Sequence, residues 1–221
     1  MIYTVIATLS ENRIETKNRD CRIIRQPLSL LPAEISEYIE NTKNLSVKAE
    51  RTLAYTTLLC ALRAFYSIDG ARIERNKYGK PYLADSNIHI SLSHSDGSVA
   101  VCLSDEGEVG IDIQSEIDER CAERLKNRFF SGFEAKSDDL SVKYYFCSIS
   151  ENEAILQSID RPKNADDRFT AKWAYAEALM KLHGRGFVDV TALPALAENA
   201  RVEIVEISLD KKYVIAVSTE K

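Results

Sequence analysis

Trp173, Glu177 and Lys181 recur every four residues in W-A-Y-A-E-A-L-M-K, which on a helix puts a ring, a carboxylate and an ammonium on one face. Glu177 before Lys181 is the favourable order for an i,i+4 pair, which on a surface helix contributes only about 0.2 to 0.5 kcal/mol. Because the pair shares its face with Trp173 and Met180, burial at the mouth of a site is the alternative reading. In V-G-I-D-I-Q, residues 109 to 114, strand alternation points Asp112 and Gln114 together while Ile111 and Ile113 enter the core. An acid on so apolar a strand costs free energy without a compensating cation or donor. Asp112 is thus a metal-ligand candidate, against the plainer reading of a strand-end acid facing water. In R-N-K-Y-G-K-P, residues 75 to 81, Gly79 permits an unusual backbone angle, Lys80 offers a cation and Pro81 stiffens the loop. That combination suits a phosphate or an adenine edge, or is an ordinary basic turn. It is not a Walker loop, since the upstream glycine and the final Ser or Thr are missing. In S-L-S-H-S, residues 91 to 95, His94 can donate to a phosphate oxygen between the hydroxyls of Ser93 and Ser95. No G-x-S-x-G elbow surrounds these serines, which argues against a hydrolase nucleophile.

The elements that must position these groups follow from pattern. Residues 2 to 8 are β-branched and aromatic, as in a strand, and Pro32 suits the first position of a short helix. A longer helix is expected from Ser46 to Phe65, its apolar stripe formed by Ala54, Leu58, Ala61, Leu62 and Phe65, with Arg51 at the start of that stripe. Residues 86 to 114 read as three strands separated by Asp96-Gly97 and by a turn at 105 to 107. Residues 118 to 130 read as a charged helix, and the polar stretch 135 to 167 as helix pieces and loops. A helix follows from an Asp166 or Asp167 cap to Gly184, then a final hairpin at 202 to 218 that echoes the earlier one.

Composition narrows the classes. The chain carries 29 Lys and Arg against 34 Asp and Glu, a net −5, so it lacks the positive field of a general nucleic-acid binder. An anionic ligand must therefore meet a local basic patch. With 45% hydrophobic residues and no window near the roughly 18 consecutive apolar residues of a membrane span, the expectation is a cytoplasmic globular protein without a signal peptide. Five cysteines at wide spacing fit reduced thiols rather than a zinc site.

Together and in order, Gly79-Lys80-Pro81, Ser93-His94-Ser95, Gly110-Ile111-Asp112-Ile113-Gln114 and Trp173 with Glu177, Ala178 and Lys181 resemble the motifs of 4′-phosphopantetheinyl transferases of the larger, surfactin-synthetase-activating type. Arg51, and Phe129-Phe130-Ser131 with Glu134, extend the similarity, which spans about residues 45 to 187. The resemblance implies an α/β (α+β) fold built as a pseudo-twofold repeat of two antiparallel-sheet-plus-helix halves, residues 1–110 and 111–221, with the active site between them. It implies transfer of the phosphopantetheine arm of coenzyme A to a serine of an apo carrier protein of fatty acid, polyketide or peptide synthesis, releasing adenosine 3′,5′-bisphosphate. By the same resemblance Asp112, Glu177 and Gln114 would hold Mg²⁺, and Glu177 would act as base for the serine. Lys181 would stabilise the departing phosphate, and Arg51, Lys80, Pro81, Ser93 and His94 would hold the nucleotide end. Two halves in one chain suggest a monomer.

Three positions depart from the family pattern. Gln114 stands where a second carboxylate is usual, Ala176 replaces the lysine of K-E-A, and Ser91 replaces an asparagine. Gln114 and Ala176 would suit a coenzyme A binding protein without catalysis, whereas Asp112, Glu177 and Lys181 suit a working enzyme. A metal-dependent nucleotide phosphodiesterase would use the same two acids but needs more ligands, and His89 and His183 have no evident metal partners.

Overall fold

Strand β1 (Ile2–Thr8) shows how the core is laid out, because its side chains alternate between two clusters. Val5 and Ala7 pack with Leu58, Ala61 and Leu62 of helix α2 (Leu45–Tyr66), whereas Ile2 and Ile6 point the other way, towards Ile111, Ile215 and Val217 of a second sheet. A third cluster joins that second sheet to helix α4 (Phe169–His183) through Ala174, Ala178, Leu179, Val214 and Ala216. The layers therefore run helix, sheet, sheet, helix, a mixed α/β fold. The computed structural model describes residues 1–9, 21–25, 31–129, 135–150, 153–160, 162–165, 168–184 and 192–221.

The remaining elements in chain order are β2 (Cys21–Arg25), α1 (Ala33–Glu40), β3 (Ile73–Arg75), β4 (Pro81–Leu83), β5 (His89–Ser95), β6 (Ser98–Ser104), β7 (Val109–Ser115) and α3 (Glu119–Phe129). They are followed by β8 (Lys143–Ile149), β9 (Glu153–Ser158), β10 (Lys163–Asn164), α5 (Leu193–Glu198), β11 (Ala200–Ser208) and β12 (Lys212–Glu220). The first sheet has the order β2-β9-β8-β1-β6-β5 and the second β10-β11-β12-β7, while β3 and β4 form a separate hairpin. Among the described residues only β1 and β8 pair in parallel; the other neighbours are antiparallel. Residues 110 and 111 are consecutive within β7, and β8 and β9, which follow it in the chain, pair into the sheet that contains β1.

The stretch expected to be helix pieces and loops is instead the strand pair β8–β9 with the short β10. Tyr144 to Cys147 are buried on both faces, so β8 shows a continuous apolar run rather than alternation, and the Ser- and Asp-rich flanks mask it. Helix α1 begins one residue later than its proline suggests, with Pro32 at the N-cap position. Arg168, making no side-chain cap bond, holds the N-cap position of α4; Asp166 and Asp167 lie outside the described residues, as do Phe130, Ser131 and Glu134. Asn44 caps α2, its side chain accepting from the amides of Ser46 and Val47. All five cysteines are free thiols, with Cys60, Cys102 and Cys147 buried. No helix among the described residues is long and apolar enough to cross a membrane.

Candidate active site

Strands β5 and β7 are edges of different sheets and share no backbone ladder, yet they lie side by side. Serine side chains replace the ladder. Ser91, Ser93 and Ser95 share one face of β5. The Ser91 hydroxyl accepts the Ile111 amide (3.1 Å), Ser93 donates to Asp112 Oδ1 (2.8 Å), and Ser95 accepts the Ser115 amide (3.2 Å). Ser91 is thus part of the seam that aligns β7 with β5. Its signal in the sequence is the S-x-S-x-S alternation itself.

Gly110 then sets how closely α4 approaches β7. A Cβ at this position would lie 2.0 Å from the Ala178 carbonyl oxygen and 2.5 Å from the Leu182 nitrogen. Only a residue without a side chain fits, so α4 rests directly on the strand. One turn of helix therefore delivers Lys181 to Asp112. Lys181 Nζ lies 2.7 Å from Asp112 Oδ1, 2.7 Å from Ser93 Oγ and 3.8 Å from Glu177 Oε2.

Asp112 is 3% exposed, and its second oxygen, Oδ2, is buried without a partner. An ionised carboxylate oxygen in that state is unstable unless a donor or cation reaches it. Burial, followed by the charge of Asp112, raises the Glu177 carboxyl above its ordinary range; Lys181 and a hydrogen bond from Trp173 oppose the shift. Two carboxylates and one ammonium thus share a small volume with an acceptor to spare.

A cavity of about 260 Å³ opens beside this cluster, and Arg51, Lys80, Pro81, His94 and Lys181 all line it. Arg75, Tyr38 and Tyr55, to which the sequence reading gave no role, line it too. The Arg51 guanidinium lies 4.7 Å from the Tyr38 ring centre and that of Arg75 3.6 Å, while Arg75 also donates to the Tyr55 hydroxyl and to the Gly79 carbonyl (2.8 Å). Neither arginine has a carboxylate partner among the described residues, so the cavity holds uncompensated positive charge. Glu50, also unanticipated, is buried at the start of α2, where it binds His94 Nδ1 (2.7 Å) and the Gly97 amide (2.7 Å). With Glu50 ionised, Nδ1 must be the donor, which leaves Nε2 as the imidazole's other functional nitrogen.

Lys80 takes a different place from a free phosphate contact. Its ammonium donates to Glu108, to the Val109 carbonyl (3.2 Å) and to the Leu182 carbonyl at the end of α4 (3.0 Å), so all three protons are used. Asn76 reinforces the dock by donating to the Gly184 carbonyl (3.1 Å). The 75–81 loop is therefore both a wall of the cavity and the C-terminal clamp of α4. Burial pushes the Glu108 carboxyl up, but Lys80 and His89 overcome this and leave it below the usual range.

No protein-family model matches the chain, and no curated protein matches it in sequence. The chemistry available must be read from the groups present. Among the described residues no three His, Cys, Asp or Glu side chains gather as a metal cage. Mg²⁺ does not require one, since it commonly takes one or two carboxylates and completes its shell with water and substrate phosphates. Asp112, with its orphaned oxygen, and Glu177 fit that pattern. Gln114 shares the Asp112 face of β7, but its amide nitrogen donates to the Ser115 carbonyl (3.1 Å) and weakly to Ser95 (3.5 Å). No hydrogen bond among the described residues joins Gln114 to Glu177 or Lys181.

Proposed function

We propose that this protein transfers the 4′-phosphopantetheine arm of coenzyme A to a serine of an apo carrier protein of fatty acid, polyketide or peptide synthesis. The observation that carries the reading is the continuity of charge across one site: uncompensated arginines in a cavity, joined through Lys181 to a carboxylate pair of which Asp112 is buried, with a spare acceptor, and Glu177 half-buried. A coenzyme with a 3′-phosphate, a pyrophosphate and a reacting phosphorus calls for that sequence of groups. The cavity is smaller than the roughly 300 to 1,000 Å³ of sites that enclose whole drug-sized ligands, which suits the nucleotide end with the arm extending outwards.

In this reading Arg51, Arg75 and His94 bind the phosphates of the nucleotide, and Pro81 with the clamp of Lys80 shapes the wall beside them. Asp112 and Glu177, with Gln114 adjoining, would hold Mg²⁺, which supplies charge neutralisation at the pyrophosphate. Glu177, whose side chain is 29% exposed and so open to a docked carrier, accepts the proton of the carrier serine. The serine oxygen bonds to the phosphorus that bears the pantetheine arm as the bond to the adenosine bisphosphate oxygen breaks. Lys181 stabilises the charge that accumulates on that departing oxygen. The reading includes a pseudo-twofold relation between α2 on the first sheet and α4 on the second. It also takes the protein as a cytoplasmic monomer, a state supported by one chain furnishing both walls of the site.

Mass spectrometry of an apo carrier protein incubated with this protein, coenzyme A and Mg²⁺ tests the reading. The expected result is a carrier heavier by one phosphopantetheine and release of adenosine 3′,5′-bisphosphate. Coenzyme binding without transfer to any of the three carrier classes would identify a binding protein instead. Cleavage of the coenzyme by water without a carrier would identify a phosphodiesterase.

A further inference from the structure

Lys181 does more in this structure than wait for a leaving group. Its ammonium lies against Asp112 and within ion-pair range of Glu177, the two carboxylates that a divalent cation would neutralise, and the same side chain lines the cavity. Without a counter-charge, two carboxylates this close would repel each other. Ser93 holds the ammonium in place, accepting from Nζ while donating to the same Asp112 oxygen, and leaves Oδ2 without a partner.

We propose that Lys181 is a built-in counter-ion that competes with the divalent cation for Asp112, so that metal entry releases the ammonium into the adjacent cavity. This inference rests on the metal role proposed above for Asp112 and Glu177, and it adds a coupling between metal and anion. A released Nζ adds a further positive charge to a cavity already holding Arg51 and Arg75, so metal binding strengthens binding of the coenzyme's phosphates. By linkage, the phosphates strengthen metal binding by the same factor. The long, flexible lysine stem suits this exchange, because it lets one charge serve two positions a few ångströms apart. The 28% exposure of the Lys181 side chain leaves a way out towards solvent and cavity.

The test uses Mn²⁺ binding to the full chain without coenzyme, read by electron paramagnetic resonance and by quenching of Trp173, the only tryptophan, which hydrogen-bonds Glu177. Lys181→Met removes the competitor and should bind Mn²⁺ on the order of tenfold more tightly than the unaltered protein. Lys181→Arg retains the charge and should stay near the unaltered affinity, which separates charge competition from a change in packing. Coenzyme A should tighten Mn²⁺ binding in the unaltered protein and do so less in Lys181→Met. Should Lys181→Met fail to fold without metal, its recovery by Mn²⁺ but not by NaCl of equal ionic strength would support the same exchange, and its recovery by both would overturn it. Equal Mn²⁺ affinity in unaltered protein and Lys181→Met would overturn the competition while leaving the metal role of Asp112 intact. Absence of Mn²⁺ binding to either form would overturn the metal role as well.

Discussion

Lys181 Nζ lies 2.7 Å from Asp112 Oδ1, while Oδ2 of the same carboxylate is buried and unpaired. Asp112 is thus half satisfied by the protein and half available. Asp112→Asn keeps the shape and a potential oxygen acceptor but removes the charge. We predict that it lowers carrier modification roughly 10²-fold or more, in the range of losing one preorganised electrostatic contact. Urea unfolding should shift little, because Lys181 is partly exposed and water can take over its solvation. Transfer at the unaltered rate by Asp112→Asn would remove Asp112 from the chemistry.

Glu177 carries the pH dependence. Its carboxyl is raised by burial and by Asp112, so the folded state holds the proton more tightly than the unfolded chain does. The sign follows: this contribution favours the folded state below the ordinary glutamate range and is lost as pH rises through the elevated value. A Trp173 fluorescence titration of metal-free protein should show an inflection above 4.5, the ordinary value, which disappears in Glu177→Gln. Added Mn²⁺ should move it to lower pH, since a nearby cation favours the ionised form. An inflection in the ordinary range that ignores metal would contradict the assignment.

Gly110→Ala tests the approach of α4 to β7. The new methyl would sit 2.0 Å from a backbone oxygen, and backbone cannot move aside as a flexible side chain does. Displacing the helix should cost about 1 to 3 kcal/mol in urea unfolding and draw Lys181 away from Asp112. Transfer should fall further than stability alone explains, even where the variant remains folded. Unchanged stability would mean that α4 sits farther from the strand.

These relationships differ in how openly the sequence displays them. Asp112, Glu177 and Lys181 are legible because one lies on an apolar strand and two share a helix face, so their types and spacing reveal chemistry without coordinates. Arg51 and His94 are legible only as isolated polar groups; that both line one cavity depends on α2 packing over β5, a long-range contact no local pattern contains. The strand β8 was hidden because burial on both faces erases the alternation by which strands are recognised. Lys80 resembled a mobile phosphate ligand because its three acceptors come from Glu108, Val109 and Leu182, distant in sequence.

Arg75 extends the basic end of the cavity beyond the residues picked out by motif. Arg75→Gln retains two possible contacts, to Tyr55 and Gly79, but removes the charge stacked on Tyr38. Coenzyme A binding measured by calorimetry should weaken by roughly tenfold, the loss of one charge-assisted contact at about 1.5 kcal/mol. Because the charge is what changes, the difference between the two proteins should shrink as NaCl is raised. A salt-independent difference would assign the effect to packing against Tyr38 instead.

Gln114 is a neutral residue on the same face of β7 as Asp112, beside the proposed metal. Its amide nitrogen donates to the Ser115 carbonyl and to Ser95, so its oxygen alone would be offered to a cation. A neutral oxygen supplies no charge, and the site then depends on the coenzyme's phosphates to complete and neutralise the metal shell. Gln114→Glu gives up the donor to Ser115, at a cost of about 1 kcal/mol, and brings a third negative charge to the Asp112 face of β7. We predict that it lowers the Mg²⁺ concentration needed for half-maximal carrier modification, with the same products. Mn²⁺ binding without coenzyme should tighten in parallel, because the added carboxylate replaces part of the charge that the phosphates otherwise provide. The two measurements must move together: a lower Mg²⁺ requirement without tighter Mn²⁺ binding would point to a rate effect. An unchanged or higher requirement would show that position 114 does not face the metal.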